Sequence, residues 1–156
     1  MKVTSFLIEA HIFRYKEDSR ELEFLLLKRA AKEKYAGIWQ MVTGKIDKNE
    51  KAYKTAVREI KEETGLVPKQ FWVVPNVNSF YSHEGDVVCM VPVFAALVDD
   101  SEVKISYEHE EYMWLNKDEA KKLLAWEGQR TSVETIHKYF TKEKSFLNFV
   151  EIKLQE

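Results

Sequence analysis

The stretch GKIDKNEKAYKTAVREIKEETGL, Gly44–Leu66, sets Gly44, Glu50, Arg58, Glu59, Glu62, Glu63 and Gly65 in one order, with bulky aliphatic Ile60 and Leu66 at two further positions. Written as a pattern it is G-x5-E-x7-R-E-U-x-E-E-x-G-U, where U is a bulky aliphatic residue. If each of the seven fixed residues occurred at roughly 7% usage, a match at a given start would have odds on the order of 10⁻⁸. Ala52, Ala56, Val57 and Ile60 recur at three- and four-residue steps, so the spacing predicts a helix over Lys51–Thr64 with one buried face. On that helix Glu59, Glu62 and Glu63 stand at i, i+3 and i+4, and their carboxylates share one patch of surface.

Three like charges so close repel one another, and a compensating cation is the natural reason to gather them. Oxygen-only ligands favour a hard divalent ion, Mg²⁺ or Mn²⁺. Such an ion can bridge diphosphate oxygens and lower the pKa of a bound water, whose proton a neighbouring carboxylate can take. Gly44 is expected to end a strand and begin an irregular loop, its missing side chain permitting close backbone approach and its carbonyl serving as a candidate ligand. Gly65 is expected at a left-handed C-terminal cap, with Leu66 folding back on the helix. Arg58 is a candidate to orient Glu59 through a bidentate pair, and Glu50 sits near the helix start, where negative charge is favoured. Taken without its glycines, the same stretch would be an ordinary solvated amphipathic helix.

The rest of the 156 residues suits one domain, 1–156, with a sizeable core. A net charge of -2 gives no reason to expect a nucleic-acid polymer as partner. No segment has the make-up of a signal peptide or the length of a membrane span, and the chain is expected to be soluble and cytoplasmic. Strands are expected at Thr4–Arg14 and Glu23–Arg29, joined by the polar turn KEDSRE, and at Trp39–Thr43, Phe71–Tyr81, Asp86–Val98 and Tyr112–Leu115. A helix capped by Asn116 is expected over Lys117–Leu124, and another over Thr131–Phe140 with Val133, Ile136, Tyr139 and Phe140 inward. The apolar tail Ser145–Leu154 reads equally as a strand, a docked helix or a dimer contact, and a homodimer is an open expectation. The single cysteine, Cys89 in VVCMV, reads as a buried strand position. The four histidines, His11, His83, His109 and His137, lack zinc-type spacing and read as core or surface residues.

With its box between flanking strands, the chain resembles the Nudix hydrolases over most of its length. The resemblance implies an α+β fold, an α/β/α sandwich with a central mixed sheet. It also implies hydrolysis of a nucleoside diphosphate linked to another group, with Mg²⁺ or Mn²⁺. On the matching positions it makes Glu59, Glu62 and Glu63 metal ligands, with the Gly44 carbonyl often joining them. A further carboxylate from a later loop is implied as ligand or base. SYEHEEYMWL offers Glu108, Glu110 and Glu111, of which Glu108 is favoured.

The run of Glu108, His109, Tyr112, Trp114 and Leu115, together with WQMVTG at Trp39–Gly44, is similar to the branch that releases pyrophosphate from nucleoside triphosphates and dihydroneopterin triphosphate. Candidate contacts for a small nucleotide or pterin substrate are Lys28 and Arg29 for phosphates, Arg130 for a phosphate or the base, and Trp39, Phe80 and Tyr81 for a ring. The leading expectation is therefore pyrophosphate release from a triphosphate-like substrate. Dinucleoside polyphosphates or nucleotide sugars are the alternative, because the box handles phosphates and not the attached group. A nucleotide sensor without turnover would show degenerate glutamates, and an isoprenoid diphosphate isomerase would need Cys89 near the metal. The sequence holds no phosphate-binding G-x-x-x-x-G-K-[ST] loop.

Overall fold

The computed structural model describes residues 1–141 and 148–155. In chain order the elements are β1 (Lys2–Thr4), β2 (Leu7–Tyr15), β3 (Leu22–Arg29), β4 (Trp39–Gln40), β5 (Val42–Lys45), α1 (Ala52–Thr64), β6 (Gln70–Ser82), β7 (Val87–Leu97), β8 (His109–Leu115), α2 (Lys117–Leu123), α3 (Glu127–Thr141) and β9 (Val150–Glu151). The strands form one mixed sheet with the path β4-β3-β2-β7-β6-β9, to which β1 adds on β7, β5 on β2 and β8 on β3. The β1–β7 and β2–β7 pairs are parallel and the remaining pairs antiparallel.

β2 explains why the sheet has two cores. Its even positions Ile8, Ala10 and Ile12 pack with Ala56 and Ile60 of α1, while Phe13 packs with Val133 and Ile136 of α3. Both faces of the strand are buried, as a central strand between helical layers requires. Fully burying side chains such as Ile60 or Ile136 stabilises the fold by roughly 1.5–3 kcal/mol each. The layers are therefore α1, sheet, and α2 with α3.

Several elements differ from the sequence expectation in detail. The first expected strand breaks at Ser5–Phe6, and its two pieces pair in parallel with successive stretches of β7, β1 with Val87–Cys89 and β2 with Val93–Leu97. Trp39–Thr43 breaks at Met41, whose side chain is buried, so β4 pairs with β3 and β5 with β2. Gly44 lies inside β5, opposite Ile8, and not in a loop. β8 begins at His109, three residues before the expected start, and α3 begins at Glu127, four before. Asn116 forms a full capping box: Glu119 N–H donates to Asn116 Oδ1 at 2.9 Å and Asn116 N–H to Glu119 Oε1 at 3.2 Å. Gly65 caps α1 at φ 73° and donates to the Lys61 carbonyl, and Leu66 is buried behind it.

Of the tail Ser145–Leu154, residues 145–147 lie outside the described residues. Beyond them Phe149 stacks on Tyr139 with centroids 3.9 Å apart, and β9 pairs with Trp72 and Val73. A short terminal strand is thus the described outcome. Cys89 is fully buried on β7, between Thr4 and Phe80 of the neighbouring strands. No helix among the described residues is long and apolar enough to cross a membrane.

Candidate active site

The acidic residues just ahead of α1 and near its end have opposite environments. Toward its start, Glu50 receives both arms of Arg58: Nε donates to Oε2 at 3.0 Å and Nη2 to Oε1 at 2.9 Å. Thr55 Oγ1 adds a third bond to Glu50 at 2.6 Å. These bonds, Arg58 first and Thr55 second, pull the Glu50 carboxyl down to about 2. The bidentate pair expected between Arg58 and Glu59 is therefore made with Glu50, because Glu50 lies ahead of the helix and meets the guanidinium edge-on. Arg58 still reaches Glu59 Oε1 through Nη1 at 2.8 Å and Glu62 Oε2 at 3.2 Å, and its Nη2 donates to the Lys45 carbonyl at 3.2 Å. It clamps the loop before the helix to the helix itself.

Near the other end of α1 the environment reverses. Glu63 points into the sheet and is 3% exposed; its Oε2 has no hydrogen-bond partner among the described residues. Burial first, then the charges of Glu59 and Glu108, push its carboxyl up to about 9, with Arg29 acting in the opposite sense. Burial raises Glu59 as well, against the pull of Arg58. Gly44 supplies the wall: a Cβ built on it would collide with Cγ and Cδ of Glu59. The glycine is required by the Glu59 side chain lying across the strand, which is more specific than the open backbone approach the sequence suggested.

Glu108 is the later carboxylate whose charge acts on both Glu59 and Glu63. Its neighbours Glu110 and Glu111 face Lys28 instead, at 3.4 and 4.0 Å. Lys28 is thus drawn to the adjacent strand, while Arg29, on the opposite face of β3, is the cation that acts on Glu63. Arg29 is steadied by the loop that follows, donating from Nε to the Lys34 carbonyl and pairing with Glu33 at 3.7 Å.

The other candidate contacts are dispersed. Trp39 is half-buried against the α3-side core. Phe80 and Tyr81 are exposed near the far end of β6, Tyr81 donating to Asp86 Oδ1 at 2.9 Å. Arg130 joins α3 to the end of α2 by donating to the Leu124 carbonyl at 2.6 Å and pairing with Glu127. Glu62 is 57% exposed at its side chain and is held by Arg58 at the rim of the acidic group.

Two buried polar pairings could not be read from the sequence, in which His11 and His109 read as core or surface residues. Glu9, 4% exposed, accepts from His11 at 2.8 Å, from Asn78 at 2.9 Å and from Ser132 at 2.9 Å, tying β2, β6 and α3 together. Gln40 meets His109 at 3.1 Å, and burial, followed by the charge of Arg29, pushes the His109 imidazole down to about 4. In sequence, Glu9 and His11 alternate with apolar residues as a solvated strand face would; only α3 covers them.

With this geometry in view, the comparisons are decisive for the family. The NUDIX domain pattern matches residues 6–136. The chain belongs to the Nudix family. It is 30% identical over 129 residues to the rat asymmetrical bis(5'-nucleosyl)-tetraphosphatase, covering 80% of this chain and 84% of that one. The fold is shared with the Caenorhabditis elegans Ap4A hydrolase in a binary complex (TM-score 0.69, 18% identity, 86% of this chain and 96% of that one). It is shared too with the Escherichia coli dihydroneopterin triphosphate pyrophosphohydrolase (TM-score 0.63, 22% identity, 81% and 92%). This Nudix hydrolase is thus an enzyme class acting on nucleotide-like phosphoanhydrides, with its box helix set against a mixed sheet as the sequence implied.

The residues fit a divalent cation. A buried carboxylate oxygen of Glu63 lacks a partner, and the donor set around it is oxygen-only and mutually repelling. No three acidic, histidine or cysteine side chains among the described residues already converge as a ready-made cage. Arg58 bonds both Glu59 and Glu62 and fixes their carboxylates beside this group.

Proposed function

We propose that this chain is a divalent-metal-dependent pyrophosphohydrolase, using Mg²⁺ or Mn²⁺ held by Glu59, Glu62, Glu63 and Glu108 with the Gly44 carbonyl. The observation that carries this reading is the partnerless, buried Glu63 oxygen facing Glu59 and Glu108, an arrangement that costs stability unless a cation completes it. When bound, the ion would neutralise charge on the diphosphate bridge and acidify the attacking water. Arg29 would bind a phosphate oxygen beside the acidic group. Arg58 would orient Glu59 and Glu62 while Glu50 fixes its own position. A carboxylate of the group would take the proton of the water, and the titrations of Glu59 and Glu63 are coupled.

For the attached group, likeness along most of the chain outweighs two short motifs. A dinucleoside tetraphosphate, the substrate named for the rat relative, becomes the first reading. The triphosphate reading suggested by WQMVTG and by the Glu108–Leu115 run becomes the second.

The test is product analysis with Mg²⁺ and with Mn²⁺ on diadenosine tetraphosphate, the common nucleoside triphosphates, dihydroneopterin triphosphate and nucleotide sugars, with Glu63→Gln as control. A nucleoside triphosphate and a monophosphate from diadenosine tetraphosphate, lost in the control, would support the first reading. Pyrophosphate from a triphosphate alone would select the second. Binding without turnover of any compound would remove the enzymatic proposal.

A further inference from the structure

Gln40 and His109 are 69 residues apart in sequence and meet in the interior. Gln40 closes β4, four residues before Gly44, and is 5% exposed; His109 opens β8, directly after Glu108, and is 4% exposed. Gln40 Nε2 and His109 Nε2 lie 3.1 Å apart, and the other ring nitrogen, Nδ1, is buried without a partner among the described residues. Burying an amide and an imidazole costs more than burying two apolar side chains of similar size, so the pair calls for a role beyond packing.

The surrounding backbone shows what the pair controls. A register shift between Lys28 and Arg29 skips Glu110 and sets His109 opposite Arg29. Immediately before it, the Glu108 carbonyl accepts the Ala30 N–H at 2.9 Å. The remaining local bonds run to Ser106: His109 N–H to its carbonyl at 3.2 Å and Glu108 N–H to its hydroxyl at 3.4 Å. The His109 side chain is thus what ties this end of β8 sideways to β4, the strand leading into the Gly44 wall. Its neighbour Glu108 is half-buried at the loop end and would otherwise be free to turn toward solvent.

We propose that Gln40 and His109 are positioning residues that hold Glu108 against Glu59 and Glu63. The inference rests on the reading of Glu108 as a member of the metal-holding group. Removing the Gln40 amide leaves the Glu108 backbone bonds intact but frees the imidazole beside it, so the carboxylate spends less time at the acidic group. Groups that orient a ligand in this way change metal affinity or activity by about 10–100-fold when removed.

The test is a double-mutant cycle read by Mn²⁺ alone, counting free ion by electron paramagnetic resonance in the protein without substrate. Gln40→Leu is expected to weaken Mn²⁺ binding about tenfold, as is Glu108→Gln, and the double variant is expected to bind no more weakly than Glu108→Gln. Losses that multiply in the double variant would overturn the positioning role, since Gln40 would then act independently of Glu108. Wild-type Mn²⁺ affinity in Glu108→Gln would remove Glu108 from the metal group and this inference with it, even if hydrolysis by the other carboxylates persists. His109→Asn breaks the same pair from the other side and goes through the same cycle, so the outcome does not depend on Gln40→Leu folding well.

Discussion

Two glutamates bracket most of α1, Glu50 just ahead of it and Glu63 near its end, and the fold treats them in opposite ways. Glu50 at the start is satisfied by three bonds and is driven to stay ionised. Glu63 at the end is buried, crowded by Glu59 and Glu108, and driven to keep its proton. The first arrangement is what folding alone selects, a carboxylate with its countercharge. The second lowers the stability of the metal-free protein, and such strain accumulates where a ligand is meant to relieve it.

The largest break in that comparison comes from Glu63→Gln. Metal-dependent turnover is expected to fall by about 100-fold or more, while the melting temperature of the metal-free protein at pH 8 holds or rises. The sign follows from the raised carboxyl. Between its ordinary range near 4.5 and about 9 the native state binds more protons than the unfolded one, so metal-free stability falls as pH rises through this window. Mn²⁺ must displace that proton, so affinity should climb by up to about tenfold per pH unit across the window and flatten in Glu63→Gln. A flat affinity profile in the wild type would show that Glu63 is not a ligand.

Gly44→Ala tests the wall between the two ends. The added methyl must displace the Glu59 side chain, and activity is expected to drop about 10–100-fold with a modest loss of stability. Unchanged kcat and metal affinity would mean that Glu59 does not need its place across β5.

Glu50→Gln sharpens the other end. Here the carboxyl is depressed, so its contribution is present above about 4.5 and is lost as pH falls through about 2. Urea unfolding should show the variant less stable than wild type at pH 7 and the two converging near pH 2. A constant difference across that range would mean the pair with Arg58 adds nothing to folding.

The smallest effect is a control outside the helix. Asn116→Ala removes the capping box of α2 and should cost about 1 kcal/mol, a drop of a few degrees in melting temperature, with no change in kcat or metal affinity.

The comparison also marks which signals the sequence could carry. Residues whose partners lie within a few turns were legible. The α1 helix and its Gly65 cap follow from spacing along one element, as does the Asn116 box. The strands were found wherever apolar residues clustered, with boundaries off by a few residues because β4 and β5 divide at a buried Met41 that has no local signature. Lys28 and Arg29 look equivalent on paper. They separate only when β3 pairs with β8, which turns one toward Glu110 and the other toward Glu63. Glu9, His11, Gln40 and His109 were unreadable as buried polar groups, since a polar residue alternating with apolar ones describes a solvated strand face until a helix or another strand covers it.

The sequence by itself therefore determined the family and the helix that carries its glutamates, because those depend on residue types at fixed spacing along one helix. Tertiary structure alone decided which carboxylate is driven to stay ionised and which to keep its proton, and that Arg29 and not the adjacent Lys28 acts on Glu63. Those outcomes depend on burial and on neighbours brought from distant strands, and electrostatic energy is set by distance and dielectric in space, not by order along the chain.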